Sequence, residues 1–468
     1  MGTIQARRWL VGILAVAVGV RVAWVVYAAR QPLTGDPQAY IFYGQSIAGG
    51  HGYRSIVSTF HEFARLAQPG ATGPVLEPEP TAYYPVGYPA ALAALFWVVM
   101  HTPIPDNFPR AAAFFNVALA LGTIALTFEV ARRLFDVRVA LLAAGIQTVF
   151  PSLVFYTGIA FTETLFNFCV MAALFVAVSA PWPGGRLSRN RLVLFGAVLG
   201  VSALVRPFSL WFLPALGAVW LLTGLGLRRV AVQLAWAGLA TGLVLLPWAV
   251  RNVIQMDSPV FISTNVGDGL CIDRHPGANG GYTDSLSHCN VGYEGLPTDV
   301  AEVRRNSDNI RRSIEWVIDH PTTELRQLFW RAHVTLQHDH DVLEAAESNG
   351  ADRFMHRRTR SFLESVSDAY FFAVLALGLL GLPVLMSRRH PRRLFLLFAM
   401  GALAAVPLLL YGYPRFHIPV LPPLTIVAAV PLVALWGSGR DDHRLLSRLV
   451  QPTDDRPPRD RGGVPTAV

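Results

Sequence analysis

RRWLVGILAVAVGVRVAWVVYAARQPLTGDPQAY, residues 7–40, decides the fold class. Behind Arg7 and Arg8 an apolar run extends from Trp9 to Ala29. It is long enough to cross about 30 Å of hydrocarbon and too long for a signal-peptide core. It reads as an uncleaved first helix with its N-terminus inside. Arg21 lies deep in that helix and must face a protein interior and find a partner; the sequence names none. Just past the helix stand Asp36 and Pro37.

Working outward, apolar segments recur at 86–101, 110–130, 138–157, 160–180, 191–206, 207–226, 229–250, 369–387, 394–411 and 417–436. Hydrophobic residues make up 53% of the 468 and charged residues 15%, against about 25% charged in a soluble domain. The expected fold is an all-α polytopic membrane protein with about 10–11 membrane segments. The net charge is +8, carried entirely by arginine, since the chain has no lysine. Most arginines stand between apolar runs, as topology signals do. They form no solvated patch of the kind nucleic acid requires.

Arginine placement puts the turns holding Arg132, Arg133 and Arg138, then Arg186, Arg189 and Arg191, then Arg228 and Arg229, inside. Arg388, Arg389, Arg392 and Arg393 follow, with the tail from Arg440. The connections at 31–85, around Glu163, at Arg206–Pro207, at 251–368 and at 412–416 are then outside. Parity allows one net crossing between the first outer loop and Arg132. Two apolar segments lie there, so 86–101, the shorter and holding Pro89, is expected to be re-entrant or interfacial.

Four parts result. Residues 1–250 form an N-terminal membrane module with the outer loop 31–85. Residues 251–368 form a small mixed extracytoplasmic module with helical patterns at 299–319 and 322–337. Residues 369–436 are C-terminal membrane helices, and 437–468 a cytoplasmic tail of disordered composition. Cys271 and Cys289 share the outer module, and an oxidising compartment would let them pair. Cys169 reads as inert packing.

Candidate chemistry gathers near the outer face. Asp36 reads either as a cap for a helix over 37–48 or as a general base at the water–lipid boundary. Glu163, in FYTGIAFTETLFNF, stands at a tight outer turn, either a solvated acid or a functional one. Arg206, Arg251 and Arg415 lie at the same level; each either snorkels or binds a lipid-linked phosphate. Tyr40, Tyr53, Arg54, Tyr84 and Tyr413 are expected to line the substrate. His338, Asp339, His340 and Asp341 read as solvated surface. No spacing for a metal site or phosphate-binding loop is present.

GDPQAY, HGY, YYPVGYPAALAAL, TFEVARRLFDVRVALLAAG, FTETLFNF, LVRP, PWAVRN and PRFHIPVLPP occur in that order over residues 9–436. In this series the chain resembles the GT-C glycosyltransferases, in particular the protein O-mannosyltransferase and aminoarabinose-transferase branch. The resemblance implies transfer of a sugar from a polyprenyl phosphate to a glycan, lipid or protein acceptor, at the outer face of the cell membrane. It implies that Asp36 is the essential acid of the first outer loop and Glu163 the second catalytic acid. It implies that Arg206 stands at the donor-phosphate position and that Arg415 is the arginine before the last long apolar run; with Arg251, they are the expected donor-phosphate ligands. Asp36 is followed by Pro37 where the mannosyltransferase branch has Asp-Glu. Tyr84 and Pro85 stand where the aminoarabinose branch has Glu-Lys. No cofactor is required by such chemistry; a divalent metal, if used, would take Asp36 and Glu163 as ligands. The competing reading is a lipid or solute transporter or flippase. No internal repeat supports it, and the charged candidates cluster at one face.

Overall fold

The computed structural model describes residues 3–28, 34–55, 79–103, 107–182, 185–282, 286–293, 296–350, 352–387 and 390–438. The first apolar run is α1 (Thr3–Ala28), followed by α2 (Asp36–Ala48). Strands β1 (Arg54–Ser55) and β2 (Glu79–Pro80) pair antiparallel. Then come α3 (Gly87–Met100), α4 (Phe108–Leu134), α5 (Val137–Thr148), α6 (Pro151–Phe155), α7 (Glu163–Val178) and α8 (Arg189–Val205). After α9 (Phe212–Leu222) and α10 (Leu227–Met256) the chain enters the polar module. The module holds α11 (Val266–Cys271), α12 (Leu286–Cys289), α13 (Thr298–Asp319), α14 (Pro321–Leu336) and α15 (Asp341–Ala346). The chain closes with α16 (Arg357–Gly381), α17 (Pro391–Ala404), α18 (Val406–Leu409) and α19 (Leu421–Ser438). The middle of the first loop, 56–78, and the tail from 439 lie outside the described residues. So do Arg388, Arg389 and Arg440.

Among the described residues six helices are long and apolar enough to cross a membrane, and α5 with α6 adds a seventh span if the bent pair is one. The chain is a multi-pass membrane protein. Local chemistry sets the breaks. Asp136 caps α5, its carboxylate accepting from the backbone N–H groups of Arg138 and Val139 at 2.8 and 2.9 Å. Pro151 cannot continue α5, and the chain turns by 63° into α6. That break frees the carbonyls of Gln147 and Thr148. Arg21, buried in the bundle, donates to them at 3.3 and 2.8 Å. A cation at a helix C-terminus also meets the negative end of the helix dipole. The partner that the sequence could not name for Arg21 is thus backbone.

The arginines assigned to one membrane face gather at one end of the bundle. Arg393 donates to the carbonyl of Leu134, Arg392 to that of Val178 and Arg191 to that of Val176, at 2.8, 3.3 and 3.1 Å. Small residues then bring α8 against α10. A Cβ on Gly196 would lie 2.1 Å from the Ala237 carbonyl oxygen, so only glycine permits this backbone approach.

Segment 86–101 is the short helix α3. Near its start Tyr88 donates to Asn116 of α4 at 3.3 Å, and later Phe96 packs on Phe108 with centroids 4.8 Å apart. α3 therefore runs antiparallel along the first turns of α4 and never reaches the Arg132 end.

The module is tied to the spans through backbone carbonyls. Arg331 donates to Leu408 and Arg274 to Leu409, both at 2.9 Å. Gly412 N–H reaches the Gly280 carbonyl at 2.7 Å. Cys271 and Cys289 are joined in a disulfide.

Candidate functional site

Gly35 adopts φ 67°, a left-handed turn that glycine supplies at low cost, and α2 starts at the next residue. The N-cap position falls to Gly35, and Asp36, expected there, is instead the first helical residue. Its carboxylate is spent elsewhere. Oδ1 accepts from the Tyr84 hydroxyl at 2.7 Å and Oδ2 from Arg415 Nη1 at 2.8 Å. Burial, and after it the Asp36 carboxylate, push the Tyr84 phenol well above its ordinary value, so it remains a donor.

Arg415 bridges two acids, donating through Nε to Glu163 Oε1 at 2.7 Å. The same oxygen accepts from Arg206 Nη2 at 2.5 Å, and Arg206 Nε donates to Thr162 at 2.7 Å. Glu163 is 0% exposed. It is neither a solvated turn acid nor part of a cavity wall, but the anchor on which both arginines converge. Among the described residues Arg206 Nη1 has no hydrogen-bond partner, although the residue is only 8% exposed. An orphaned charged donor beside a cavity calls for an explanation.

That cavity has a volume of about 940 Å³. Asp36, Tyr40, Tyr84, Thr162, Arg206 and Arg415 form its charged side, while Phe208, Trp211, Val406, Leu409 and Phe416 give it an apolar flank. Tyr413, also expected at the substrate, lines it, as do Tyr282 and Tyr411, whose ring centroids lie 5.8 Å apart. The remaining sequence candidates stand elsewhere. Arg251 is committed to the carbonyls of Tyr53 and Thr81 at 2.6 and 2.7 Å and does not line the cavity. Tyr53 donates to the Tyr84 carbonyl at 2.9 Å, and Arg54 lies in β1 opposite Pro80. These three knit the outer loop and so fix Tyr84.

The cluster at 338–341 departs from its expected solvated surface. Asp339 is buried and accepts from His417 Nε2 at 2.8 Å and from Ser367 at 3.2 Å. His417 Nδ1 meets the Thr335 carbonyl at 2.8 Å. Asp341 lies close to Tyr413. Burial raises both aspartates above the usual carboxylate range. Arg415 sits between the two residues these aspartates hold, so the cluster sets the segment that carries it.

Sequence reasoning also missed Asp268 and Arg274 in the cavity wall. Asp268 accepts from Tyr83 at 2.8 Å and from Asn309 at 2.9 Å. Behind it, buried Glu302 accepts from Thr81 at 2.7 Å, from the Ala82 amide at 2.8 Å and from Thr264 at 2.5 Å. The segment carrying Tyr83 and Tyr84 is thus clamped by α13.

No group of three or more metal-binding side chains occurs among the described residues. The two acids that would hold a divalent ion are Asp36 and Glu163, and the Arg415 guanidinium already lies between them.

No protein-family model matches the chain, and no curated protein matches it in sequence. Solved structures do. The oligosaccharyltransferase of Archaeoglobus fulgidus, in complex with zinc and sulfate, superposes with TM-score 0.53 at 14% identity over 94% of this chain. The same enzyme tethered to an acceptor peptide containing the NVT sequon gives 0.54 at 14% over 93%. This chain spans about half the length of that protein, 50% in each case. ArnT from Cupriavidus metallidurans bound to undecaprenyl phosphate matches with TM-score 0.39 at 14%, over 92% of this chain and 79% of that one. The likeness to the oligosaccharyltransferase is one of fold.

Proposed function

We propose that this protein is a glycosyltransferase that moves a sugar from a polyprenyl-phosphate donor to an acceptor hydroxyl at the extracytoplasmic face of the cell membrane. One observation carries the reading. The cavity joins an acid, Asp36, and two arginines, Arg206 and Arg415, to an apolar flank at the ends of membrane helices. A lipid-linked phosphate needs that combination of cationic pocket and apolar wall.

In this reading Arg206 offers the unpartnered Nη1, and Arg415 its remaining capacity, to the donor phosphate. The acceptor oxygen attacks the anomeric carbon from the face opposite the phosphate, and its proton passes to Asp36. The bond from the anomeric carbon to the phosphate oxygen breaks, and its electron pair stays on the phosphate, so the configuration inverts. The site holds two carboxylates and two guanidiniums. The proton reaching Asp36 removes one negative charge as the leaving phosphate gains one. The arginines stabilise that developing charge. Glu163 touches neither reactant in this scheme; it positions both arginines. The scheme needs no metal. The disulfide supports an oxidising, extracytoplasmic side for the module.

The test supplies purified protein in lipid with a panel of radiolabelled polyprenyl-phosphate sugars and a membrane extract as acceptor. Sugar transfer by the wild type, lost in Asp36→Asn and weakened in Arg206→Ala, is expected. A correctly folded wild type that consumes no donor, and moves labelled lipid or solute across the bilayer instead, would return the protein to the transporter class.

A further inference from the structure

The helices α13 and α14 are patterned inside out. On α13 the residues facing the protein are Glu302, Arg305, Asn309 and Ser313, spaced three or four apart and all buried. On α14 they are Gln327, Arg331 and Thr335, again one buried stripe. Apolar residues take the other side. Ile314 and Ile318 of α13 are 54% and 70% exposed, and Leu325 and Phe329 of α14 are 68% and 66% exposed. Trp330 adds a partly open ring. A helix in a water-soluble module carries the opposite arrangement. Paired apolar residues left open on two successive helices mark an interaction surface rather than scattered surface residues.

The position of this edge says what covers it. α14 is fixed to the end of a membrane span through the bond from Arg331 to the Leu408 carbonyl. Ile314, Val317 and Ile318 share a cavity with Trp211 and Leu409, which stand at the ends of apolar segments and are themselves about half exposed. The open apolar edge therefore continues the lipid-facing surface of the spans. Arg304, Arg311 and Arg312 are exposed on the rest of α13, and Arg326 and His333 flank the apolar residues of α14. Basic residues and a tryptophan bordering an apolar stripe suit the headgroup boundary.

We infer that the α13–α14 edge of the module dips into the bilayer leaflet on the Asp36 side, with Ile314, Ile318, Leu325 and Phe329 among the acyl chains. Because three α13 residues of that edge also line the cavity, its mouth opens sideways into the same leaflet. The inference rests on the membrane assignment and not on the proposed reaction.

Single cysteines at Ile318 and Phe329, in a Cys169→Ala background, are labelled with a nitroxide and placed in lipid nanodiscs. Collision rates with oxygen, which concentrates in lipid, and with a water-soluble nickel chelate are then compared. Labels at Leu243, on the lipid side of α10, and at Arg304 provide the two references. Both test labels are expected to shift to the oxygen-rich side, with Leu243 and away from Arg304. Frequent nickel collisions at both would place the edge in water and overturn the inference. Immobile labels shielded from both reagents would mean that protein covers the edge, whether residues 56–78, a second copy or another partner, and would overturn it equally.

Discussion

Glu163→Gln tests the anchoring role assigned to this acid without reference to any reaction. Two charged donors, Arg206 Nη2 and Arg415 Nε, converge on one oxygen of a side chain that water does not reach. The amide keeps an acceptor in place and removes only the charge. At about 4 Å and an effective dielectric near 20, each ion pair is worth about 4 kcal/mol before desolvation is counted. Breaking a buried pair from one side typically costs about 3–5 kcal/mol, because the partner is left uncompensated. Glu163→Gln is expected to lose that much stability, with Glu163→Ala losing at least as much. Pairing Glu163→Gln with Arg206→Met removes the stranded charge as well. The double variant should recover at least about 1 kcal/mol of the summed single losses. Unfolding of purified protein in a mild detergent, followed by tryptophan fluorescence against added denaturant, reads these differences. A Glu163→Gln protein within about 0.5 kcal/mol of wild type, with strictly additive losses in the double variant, would show that Glu163 does not anchor the arginines.

Further outcomes follow from the same contacts. Tyr84→Phe removes the phenolic donor to Asp36, a charge-assisted bond worth about 1.5–3 kcal/mol. Sugar transfer should fall about 10- to 100-fold, with a stability loss no larger than that bond; unchanged transfer would separate Tyr84 from Asp36. Burial raises the Glu302 carboxyl above its ordinary value, so folding shifts it toward the acid form relative to the unfolded chain. Its contribution is full below the unfolded value of about 4.3 and is lost as pH rises through the raised one. Glu302→Gln should flatten that part of the stability–pH curve, and an unaltered curve would contradict it. The Cys271–Cys289 bond spans 18 residues of sequence, and opening it should cost about 3 kcal/mol, read as lower thermal stability of Cys271→Ser/Cys289→Ser. Asp339→Asn should raise the donor KM more than it lowers kcat, because it acts through the segment carrying Arg415; equal effects on both would oppose this.

The membrane class, the helices of the module and the gathering of arginines at one end were all legible, because each follows from local composition and period. Asp36, Arg206 and Arg415 were legible as candidates because charges beside apolar runs are costly and rare. The misreadings have a common cause, in partners distant along the chain. Asp339 reads as surface until His417, 78 residues on, is seen to bond to it. Arg251 resembles a phosphate ligand, yet the carbonyls of Tyr53 and Thr81, 198 and 170 residues away, consume its donors. One miss did leave a trace. Pro151 announces a helix break and hence free carbonyls, which is what Arg21 needed. Asp268 and Arg274 sit in a Gly-rich stretch whose fold no periodicity describes, so no spacing rule pointed to the cavity. The buried polar stripes of α13 and α14 show as amphipathic periods, but only packing reveals which face turns inward.

That the pocket around Arg206 and Arg415 receives a lipid-linked phosphate is the claim from which the proposed chemistry follows. Its most direct test is binding of polyprenyl phosphate to the purified protein, by native mass spectrometry, with the uncharged polyprenol as comparison. The phosphate is expected to bind much more tightly than the alcohol. Arg206→Gln, losing a charged hydrogen bond of about 1.5–3 kcal/mol, should weaken the phosphate about 10- to 100-fold and leave the alcohol unchanged. Equal binding of the two lipids, or a phosphate affinity indifferent to Arg206→Gln, would contradict the claim.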